Sequence, residues 1–380
     1  MKHKILILNH TPFVGGAQLA VIDLLEKIDR ERFEPVVVNS KKAEELGFVD
    51  EYERLGVAYR LIPFERLKVG GWRAIARYWS SIAELRRIVI QEKPCVIFSN
   101  TVRADLVAAI VRLVTGTGAI WYVNDFTFPR PVFRLLRMIP RTIVFVSAAV
   151  AGYYGSDLKK NKFYVIHPWS RFDEKIAVIT ADDIRGIRTS WKAEPETFVV
   201  GFVGRLVEWK GAQVLVKAMK IIKDRGICDI RCIIIGSGQS EPNNEASLHD
   251  LAAELGLGET VVFTGHVKQA APLVKSLDLL CLASIEPEPY STVVVEAMLA
   301  GVPTIGTEIG GTPEAIKHEQ TGLLVKPGDA EGLADAIERI MGDRELRSKL
   351  AANGFRYASE NNTAVSAARK LEALFKKNCE

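Results

Sequence analysis

The chain alternates short apolar runs with longer segments of helical periodicity. Several runs are continuously apolar instead of alternating with polar residues, which is typical of parallel strands that are covered on both faces. The alternation of strand and helix predicts doubly wound α/β layers. The twelve runs cover residues 5–8, 35–38, 96–98, 120–123, 143–146 and 163–166 in the first half, and 198–203, 231–235, 261–264, 279–282, 303–306 and 323–325 in the second.

Twelve strands at this spacing are too many for one sheet, so we predict two sheets in two domains. The stretch 170–196 lacks a strand pattern, is charged and ends just before a fresh apolar run. We therefore predict an N-terminal domain over 1–180 and a C-terminal domain over 181–360. A helix over 361–380 is expected to pack back on the first domain. Two facing domains of this kind would place the carboxyl ends of both sheets, where ligands bind, at a central cleft.

The composition is that of an ordinary globular protein. Of 380 residues, 48% are hydrophobic and 25% are charged, which excludes a disordered, collagenous or disulfide-scaffold protein. The net charge of +4 is unevenly distributed, since residues 1–180 hold 27 Lys and Arg against 18 Asp and Glu, and the remainder holds 23 against 28. A basic first half indicates an anionic partner there.

Cysteine usage and hydropathy indicate a cytoplasmic protein. The five cysteines are scattered and form neither a CxxC motif nor a Cys/His cluster, so we expect reduced, mostly buried thiols. Residues 1–9 are basic and lead directly into a short apolar run, which does not resemble a signal peptide. No uninterrupted apolar run approaches 18 residues, so no membrane span is expected.

Paired glycines follow the first predicted strand. Gly15 and Gly16 precede a helical pattern, and glycines at a helix start expose backbone N–H groups to an anion. The segment is not a GxGxxG motif, so a dinucleotide role is poorly supported. A plain turn before a helix remains the alternative.

Two cations lie in the loop after the run 198–203. Arg205 and Lys210 follow Gly204 and precede Gly211. Arginine offers a bidentate fork to a phosphate and lysine a mobile point charge, so together they could neutralise a diphosphate. A solvated loop with two ordinary surface cations is the alternative.

The segment after the run 279–282 is the most informative. Ser291 or Thr292 is a plausible N-cap for a helix that carries Glu296, and Glu288 lies in the loop before it. The helix start would present free N–H groups and a positive dipole end. A carboxylate accepts two hydrogen bonds at once, which suits the adjacent hydroxyls of a sugar or ribose. Alternatively, this is an acidic, Pro-stiffened loop followed by a glutamate placed to favour the helix dipole.

Taken together, these motifs resemble a known family. The second half is similar to the retaining, GT-B-fold nucleotide-sugar glycosyltransferases of family 4, with matching order and spacing from about residue 198 to 350. The first half matches loosely, through Gly15-Gly16-Ala17 and Val146-Ser147. The matching stretches of the second half are 201–206 with 210–211, 236–238, 262–267, 288–291, 296–298, 300–303, 310–314 and 321–325.

The resemblance implies that the domain over 1–180 binds the acceptor and that the domain over 181–360 binds the nucleotide sugar. It also implies a role for each matching residue. Arg205 and Lys210 would bind the donor diphosphate, Glu288 the transferred sugar, and Glu296 the ribose. Backbone groups of the helix start would cap the distal phosphate, and the paired glycines of the first domain would lie near the reacting sugar. The implied donor-binding set is Gly15, Gly16, Gly204, Arg205, Lys210, Glu288, Tyr290, Ser291, Thr292, Val293 and Glu296.

The sequence departs from the family pattern at several positions. Ser291 stands where the family often has Gly, and Gln18 replaces the common Glu after the N-terminal glycines. Asn124-Asp125 occupies the position where many members carry a His–Asp or His–Glu pair, so the usual His is missing. Asp125 and His10 are candidates for a protein base. The residues assigned to catalysis are Glu288, Arg205, Lys210 and Asp125.

The implied function is the retaining transfer of a hexose-type sugar from a UDP-sugar or GDP-mannose to a glycan or lipid-linked acceptor. No Asp-x-Asp motif or metal-ligand cluster is evident, so we expect no metal and no cofactor. Basic and aromatic residues interleave over 60–87 and 128–141, which indicates peripheral contact with an anionic membrane or an exposed helix face with buried aromatics.

Other functions remain open on the sequence alone. A nucleotide-sugar epimerase, a phosphorylase or a non-catalytic nucleotide-sugar binder would share this fold. Nucleic acid is not an expected partner, because no RNA- or DNA-binding module is recognisable.

Overall fold

The protein is described by a computed structural model over residues 2–10, 16–63, 71–238 and 242–380, with side chains described except at 71–77 and 242–243. Contacts between residues divide the chain into two compact units. Unit 1 comprises Met1–Pro168 and Ala364–Glu380, and unit 2 comprises Trp169–Thr363. The first boundary thus falls at Pro168 and not at 180, because the helix that follows packs its buried Phe172 and Ile176 into the core of unit 2.

Unit 1 contains one sheet of parallel strands, ordered β3-β2-β1-β4-β5-β6-β7. The strands are β1 His3–Asn9, β2 Phe33–Ser40, β3 Ala58–Ile62, β4 Val96–Ser99, β5 Gly118–Val123, β6 Thr142–Phe145 and β7 Phe163–Val165. The helices are α1 Gly16–Lys27, α2 Lys42–Glu45, α3 Phe48–Arg54, α4 Gly71–Glu92, α5 Val102–Thr115, α6 Arg130–Leu136 and α7 Ala148–Tyr153.

The sequence analysis missed one strand of this sheet. The central strands β4, β5 and β6 are buried at every position, which is why their continuous apolar runs were recognised. Strand β3 lies at the edge of the sheet, and its exposed positions alternate with more buried ones. Because an edge strand with one solvated face has no continuous apolar run, the sequence criterion passed over it.

Unit 2 contains a second parallel sheet, ordered β10-β9-β8-β11-β12-β13. The strands are β8 Phe198–Val203, β9 Ile230–Ile235, β10 Val261–Gly265, β11 Leu279–Leu282, β12 Thr304–Thr307 and β13 Leu323–Val325. The helices are α8 Phe172–Ile176, α9 Ala181–Ser190, α10 Ala212–Asp224, α11 Pro242–Glu254, α12 Ala271–Lys275, α13 Thr292–Leu299, α14 Thr312–Ala315, α15 Ala330–Gly342 and α16 Arg344–Asn361, and a 3-10 turn covers Glu208–Lys210.

Both faces of the second sheet are covered by helices. Neighbouring strand residues contribute to two separate cores, with Val200 and Cys232 in one and Val199 and Ile233 in the other. This distribution explains the apolar runs, because neighbouring positions of the inner strands face packed layers on opposite sides of the sheet. The predicted doubly wound α/β architecture is confirmed for each unit.

The strand order reverses once in each sheet, between β1 and β4 in unit 1 and between β8 and β11 in unit 2. In doubly wound sheets, ligands bind outside the carboxyl ends of the strands at this switch point. The loops that the sequence analysis singled out after 198–203 and 279–282 therefore flank the expected ligand position of unit 2.

The chain returns to unit 1 through α17, Ala364–Cys379, which packs on α1, β1, β4 and β5. Its Phe375 is fully buried and makes edge contacts with Phe33 and Phe98. A disulfide joins Cys95 to Cys379 at the end of this helix. The expectation of reduced cysteines is wrong for this pair, because only the fold brings together two residues so far apart in sequence.

No helix within the described ranges is long and apolar enough to cross a bilayer.

Candidate active site

The loops after β8 and β11 are packed directly against each other. Gly211, the N-cap residue directly before α10, has φ +74°, in the left-handed region that favours glycine. A Cβ at this position would lie 1.8 Å from the carbonyl oxygen of Ala283, so the contact leaves no room for a side chain. The backbone N–H of Ile285 donates to the carbonyl of Trp209 at 2.8 Å. The two loops are therefore held in one arrangement.

Lys210 and Glu288 form an ion pair across these loops. Lys210 Nζ lies 2.8 Å from Glu288 Oε2, with the lysine side chain 16% exposed and the glutamate side chain 4% exposed. The other carboxylate oxygen, Oε1, accepts a hydrogen bond from Ser284 Oγ, and the Glu288 carbonyl accepts one from the N–H of Gly311 at 2.8 Å. A buried carboxylate requires such compensation, because removing it from water is costly.

Trp209 lies next to both predicted cations. The guanidinium carbon of Arg205 is 5.9 Å from the centre of the Trp209 ring, and Lys210 Nζ is 4.7 Å from it. Both distances are within the range of cation–π attraction. Arg205 is exposed, whereas Lys210 is largely buried by its pair with Glu288. The loop after β8 thus presents two positive charges, one anchored and one open to solvent.

The helix that was predicted after Glu288 begins as expected. Ser291 is at the N-cap of α13 with an extended backbone, but its side chain makes no capping hydrogen bond. Its Oγ is buried and, within the described residues, has no hydrogen-bond partner. The first-turn N–H groups, which include those of Thr292 and Val293, have no acceptor within the helix. Together with the helix dipole, they form a site that favours an anion.

Glu296 and Tyr290 contact the segments at the two ends of unit 2. Ser170 Oγ donates to Glu296 Oε1 at 3.4 Å, and Asn362 Nδ2 donates to the hydroxyl of Tyr290 at 3.1 Å. Burial raises the pKa of Tyr290 above its ordinary value. Tyr290 lies two residues after Glu288, so its hydrogen bond to Asn362 also holds the loop that carries Glu288.

The remaining predicted residues belong to unit 1. Gly16 begins α1, and Gly15 lies outside the described residues. Asp125 follows β5, and its Oδ1 accepts hydrogen bonds from the N–H and the hydroxyl of Thr127 at 2.9 and 2.7 Å. Gly16 and Asp125 both line a cavity of about 360 Å³ at the carboxyl edge of the unit 1 sheet.

Sequence reasoning missed three contributors to these sites. Trp209 could have been noticed as an aromatic residue directly before Lys210. Ser284 carried no signal, because a serine after a strand is common. Asp105 is in the first turn of α5, where an acidic residue is ordinary, and only the structure shows that it is buried.

Within the described residues, one group of three residue types that can bind a metal lies together, His3, Cys95 and Cys379, but its two cysteines are joined in the disulfide and offer no thiolate. It contains none of the predicted site residues.

Two doubly wound parallel sheets, with cations, a buried glutamate and a helix start at the switch point of the second, define a protein of the doubly wound α/β class. Residues 183–357 match the family model described as "Glycosyl transferases group 1". The matched stretch contains Arg205, Lys210, Glu288 and Glu296.

Comparisons with individual proteins agree. The chain is 30% identical over 213 residues to an uncharacterized glycosyltransferase of Methanocaldococcus jannaschii, covering 56% of this chain and 52% of that protein. It is 22% identical over 317 residues to the capsular polysaccharide biosynthesis glycosyltransferase CapM of Staphylococcus aureus, covering 78% and 81%. The crystal structure of Anabaena HepE in complex with UDP superimposes with a TM-score of 0.83 at 23% identity, covering 98% of this chain and 100% of that one.

The structural likeness confirms the predicted GT-B fold class. Most of the first curated relatives are matched over only part of their length, and the chain spans about half of each of these.

Proposed function

We propose that the chain is a retaining glycosyltransferase of family 4. It transfers a hexose-type sugar from a nucleotide-diphosphate sugar to a glycan or lipid-linked acceptor in the biosynthesis of cell-surface polysaccharide or glycolipid. The observation that carries the proposal is the Lys210–Glu288 pair at the switch point of unit 2, within the segment that matches the family model of group 1 glycosyl transferases.

The geometry supports leaving-group stabilisation as the main catalytic contribution. Arg205, Lys210 and the start of α13 offer positive charge and free N–H groups to a diphosphate. Preorganised groups of this kind stabilise charge that develops in the transition state without having to reorganise. In the proposed step, the bond between the anomeric carbon and the phosphate oxygen breaks as the bond to the acceptor oxygen forms. The acceptor proton passes to the departing phosphate oxygen on the same face, which retains the anomeric configuration.

Glu288 is placed to orient the transferred sugar. Its carboxylate is fixed by Ser284 and Lys210, so a hydroxyl bound to it would be held close to the diphosphate that Lys210 binds. Glu296 would accept hydrogen bonds from the ribose hydroxyls, because a carboxylate can bind two adjacent hydroxyls. A UDP-sugar is the first donor to test, since HepE was crystallised with UDP, and GDP-mannose is the second.

The test is incubation with UDP-, GDP- and ADP-sugars, first by thermal stabilisation and then with glycan and lipid-linked acceptors. Binding to the native state alone raises the melting temperature by mass action. We expect nucleotide release that depends on the acceptor, and a product whose anomeric configuration, read by NMR, equals that of the donor. Isomerisation of the nucleotide sugar would indicate an epimerase instead, and stabilisation without turnover would indicate a non-catalytic binder.

We also propose that transfer needs no divalent metal, because the cationic side chains of unit 2 can neutralise the diphosphate themselves. Turnover measured with EDTA, and again after adding Mg²⁺ or Mn²⁺, is expected to change less than about twofold. A strict requirement for a divalent cation would contradict the assignment of Arg205 and Lys210 to this role.

Peripheral contact with an anionic membrane, at its cytoplasmic face, is proposed for the face of unit 1 around α6. Leu135 and Met138 are 76% and 74% exposed. Arg134, which follows the buried Phe133, is exposed as well. Exposed apolar side chains flanked by arginine suit a surface of acidic lipid. Of the other basic and aromatic stretch, residues 64–70 lie outside the described residues, but Trp79, Arg86 and Arg87 on α4 are exposed.

Liposome flotation tests this contact. Binding to vesicles with anionic lipid is expected to weaken with salt and with Leu135→Ser, whereas Val178→Ser, at an equally exposed position of unit 2, should leave it unchanged. Equal binding to neutral vesicles would contradict the electrostatic part of the proposal.

A further inference from the structure

Three side chains of residue types that can bind a metal meet at the amino-terminal edge of the unit 1 sheet. His3 begins β1, Cys95 directly precedes β4, and Cys379 ends α17. Their ligand atoms, an imidazole nitrogen and two sulfurs, all lie within 4.8 Å of one another, and each residue is half-buried. The cavity lined by Gly16 and Asp125 lies at the other edge of this sheet, so the group is separate from the candidate active site.

Backbone hydrogen bonds hold two members of this group in the sheet. The N–H of His3 donates to the carbonyl of Arg32 at 2.8 Å, and the N–H of Cys95 donates to the carbonyl of Lys4 at 2.9 Å. Strands β1 and β4 are parallel neighbours in the interior of the sheet. The positions of His3 and Cys95 therefore do not depend on the disulfide.

Cys379 is held in place by the residue before it. Asn378 is 4% exposed, and its Nδ2 donates to the carbonyl of Leu374 at 2.8 Å and to Thr142 Oγ1 at 3.1 Å. The Asn378 carbonyl accepts a hydrogen bond from Arg141 Nη1 at 3.1 Å. Because these contacts fix the end of α17 independently, the two sulfurs should stay close together when the bond between them is broken.

Reduction turns the disulfide into two metal ligands. A small thiol such as glutathione reduces the bond by two exchange steps. Its thiolate attacks one sulfur to form a mixed disulfide, and a second glutathione thiolate then frees that sulfur. Glutathione disulfide leaves, two electrons have passed to the protein, and Cys95 and Cys379 are thiols. Both residues are half-buried and not fully enclosed, so a small thiol can reach them.

The reduced group has the chemistry that Zn²⁺ prefers. Zn²⁺ binds thiolate sulfur at about 2.3 Å and imidazole nitrogen at about 2.0 Å, which places tetrahedral ligand atoms about 3.6 to 3.8 Å apart. That spacing falls within the 4.8 Å that already encloses the three atoms. One Zn²⁺ with two thiolates and an imidazole carries no net charge, so half-burial costs it far less than it would cost an isolated ion. Three protein ligands leave a fourth position for water.

We propose that the reduced chain binds one Zn²⁺ through His3, Cys95 and Cys379. The ion then links β1, β4 and the end of α17, so α17 stays cross-linked to the sheet in the reduced form as it is in the oxidised form. Binding releases the two thiol protons. Oxidation by glutathione disulfide, the reverse exchange, consumes both thiolates and expels the ion. This inference does not rest on the proposed function.

The experiment measures Zn²⁺ binding by the full chain in competition with a chromogenic chelator. The chain is reduced with a phosphine, freed of metal with EDTA and desalted, and the disulfide form is prepared separately with glutathione disulfide. Cys95→Ser and His3→Gln each remove one ligand. Cys228→Ser, at an exposed free thiol, and His318→Gln, at an exposed histidine, are the matched controls. Melting temperatures with and without Zn²⁺ show that each variant is folded and whether the ion stabilises it.

We expect the reduced chain to bind one equivalent of Zn²⁺ and to melt at a higher temperature with it, because an ion that binds the native state alone stabilises that state. Loss of contacts that merely support a ligand weakens metal binding about 10- to 100-fold. Loss of a ligand should cost at least as much, so we expect at least about a hundredfold for Cys95→Ser and at least about tenfold for His3→Gln. Both controls should bind like the unchanged chain, and the disulfide form should not bind.

Three results would overturn the inference. They are no uptake of Zn²⁺ by the reduced chain, unchanged binding by Cys95→Ser or His3→Gln, and equal binding by the disulfide form. His3→Gln keeps both cysteines, so it distinguishes a site built from all three residues from a pair of thiols that binds zinc on its own. Because the readout is metal binding and not sugar transfer, the result is independent of whether the chain proves to be a glycosyltransferase.

Discussion

Lys210 Nζ lies 2.8 Å from Glu288 Oε2, and this one contact joins the loops that leave the two strands at the switch point of unit 2. The pair keeps both charges compensated while no ligand is bound. A diphosphate that binds to Lys210 would then meet a cation whose position is already set, next to a carboxylate that is available to the sugar.

Loss of the Lys210 ammonium should reduce catalysis far more than it changes the fold. We expect Lys210→Ala to lower the rate of sugar transfer by about 10²- to 10³-fold, the size of effect seen when a preorganised donor is removed. The measurement is nucleotide release under saturating donor. Lys220→Ala is the control, because Lys220 also pairs with a carboxylate, Asp224, but on the exposed face of α10. Near-normal turnover of Lys210→Ala would remove the phosphate clamp from the mechanism.

A second variant separates catalysis from stability. Lys210→Ala alone leaves Glu288 buried and unpaired, which should lower the free energy of unfolding by about 3 kcal/mol or more. Adding Glu288→Gln removes that charge, so the double variant should regain much of the lost stability in urea unfolding. It should remain inactive, because neither change restores positive charge at the diphosphate. Recovery of activity in the double variant would contradict a direct role for Lys210.

Close packing of the two loops predicts a large effect at Gly211. Gly211→Ala should destabilise unit 2 and weaken nucleotide binding, since its Cβ would overlap the carbonyl oxygen of Ala283. Gly256→Ala is a matched control, because Gly256 also has a positive φ, +67°, but open space around it. Gly256→Ala should lower the free energy of unfolding by about 1–2 kcal/mol, because alanine is less stable than glycine in the left-handed conformation. Equal losses in the two variants, measured by urea unfolding, would show that the loop contact does not matter.

Binding of ribose by Glu296 can be tested with a pair of nucleotides. We expect the unchanged chain to prefer UDP to 2′-deoxy-UDP by about tenfold, and Glu296→Gln to lose most of that preference by weakening UDP binding. Glu286→Gln, in the exposed part of the loop after β11, should behave like the unchanged chain. The measurement is calorimetric titration. If Glu296→Gln still prefers UDP to 2′-deoxy-UDP, a residue other than Glu296 binds the ribose.

Burial of Asp105 predicts a distinctive dependence of stability on pH. Its pKa is raised in the folded state, so the folded chain holds this proton more tightly than the unfolded chain. The stability due to Asp105 is therefore present below about pH 4 and is lost as pH rises towards the folded pKa, by up to about 1.4 kcal/mol per pH unit. Asp105→Asn should not lose stability in this way, because an asparagine side chain does not titrate.

The stability of Asp105→Asn relative to the unchanged chain should accordingly increase from pH 4 to pH 7 in urea unfolding. Asp157→Asn, at an exposed position, is the control and should show no comparable trend. A difference for Asp105→Asn that is constant with pH, or that decreases, would mean that the carboxyl is charged in the folded protein.

The disulfide between Cys95 and Cys379 should stabilise unit 1. It closes a loop across a sequence separation of 284 residues, and cross-links of that span restrict the unfolded chain by up to about 5 kcal/mol. Cys95→Ser or a reductant should each lower the melting temperature, and the two effects together should not exceed either alone. Cys228→Ser, at an exposed free thiol, should change nothing. Additive effects of reductant and Cys95→Ser would mean that this bond is not the one being reduced.

Much of the fold was readable from local patterns. The six strands of unit 2 were found because most of their positions are apolar and face a packed helix layer. Strand β3 was missed because it lies at an edge of the sheet, where exposed residues alternate with more buried ones. The domain boundary was placed too late because α8 carries only two buried apolar residues, Phe172 and Ile176, and a short helix of that kind looks like linker.

The candidate site was also partly readable. Arg205, Lys210, Glu288 and Glu296 stood in loops directly after strands or at a helix start, and the fold brought Lys210 and Glu288 into contact. Asp105 gave no such signal, since its place in the first turn of a helix is where acidic residues commonly stand exposed.

By itself, the sequence determined the strand and helix layers of both units and which loops carry charge. Strands that are buried on both faces are apolar at neighbouring positions, and helix starts have characteristic residues, so both can be recognised locally. Only the tertiary structure decided which distant groups meet: Lys210 with Glu288, and Cys95 with Cys379. Those meetings follow from strand order and from the return of α17 to the first sheet. Neither can be predicted from local periodicity. An apolar run indicates that a strand is buried, but it does not indicate which strand lies beside it or which helix covers it.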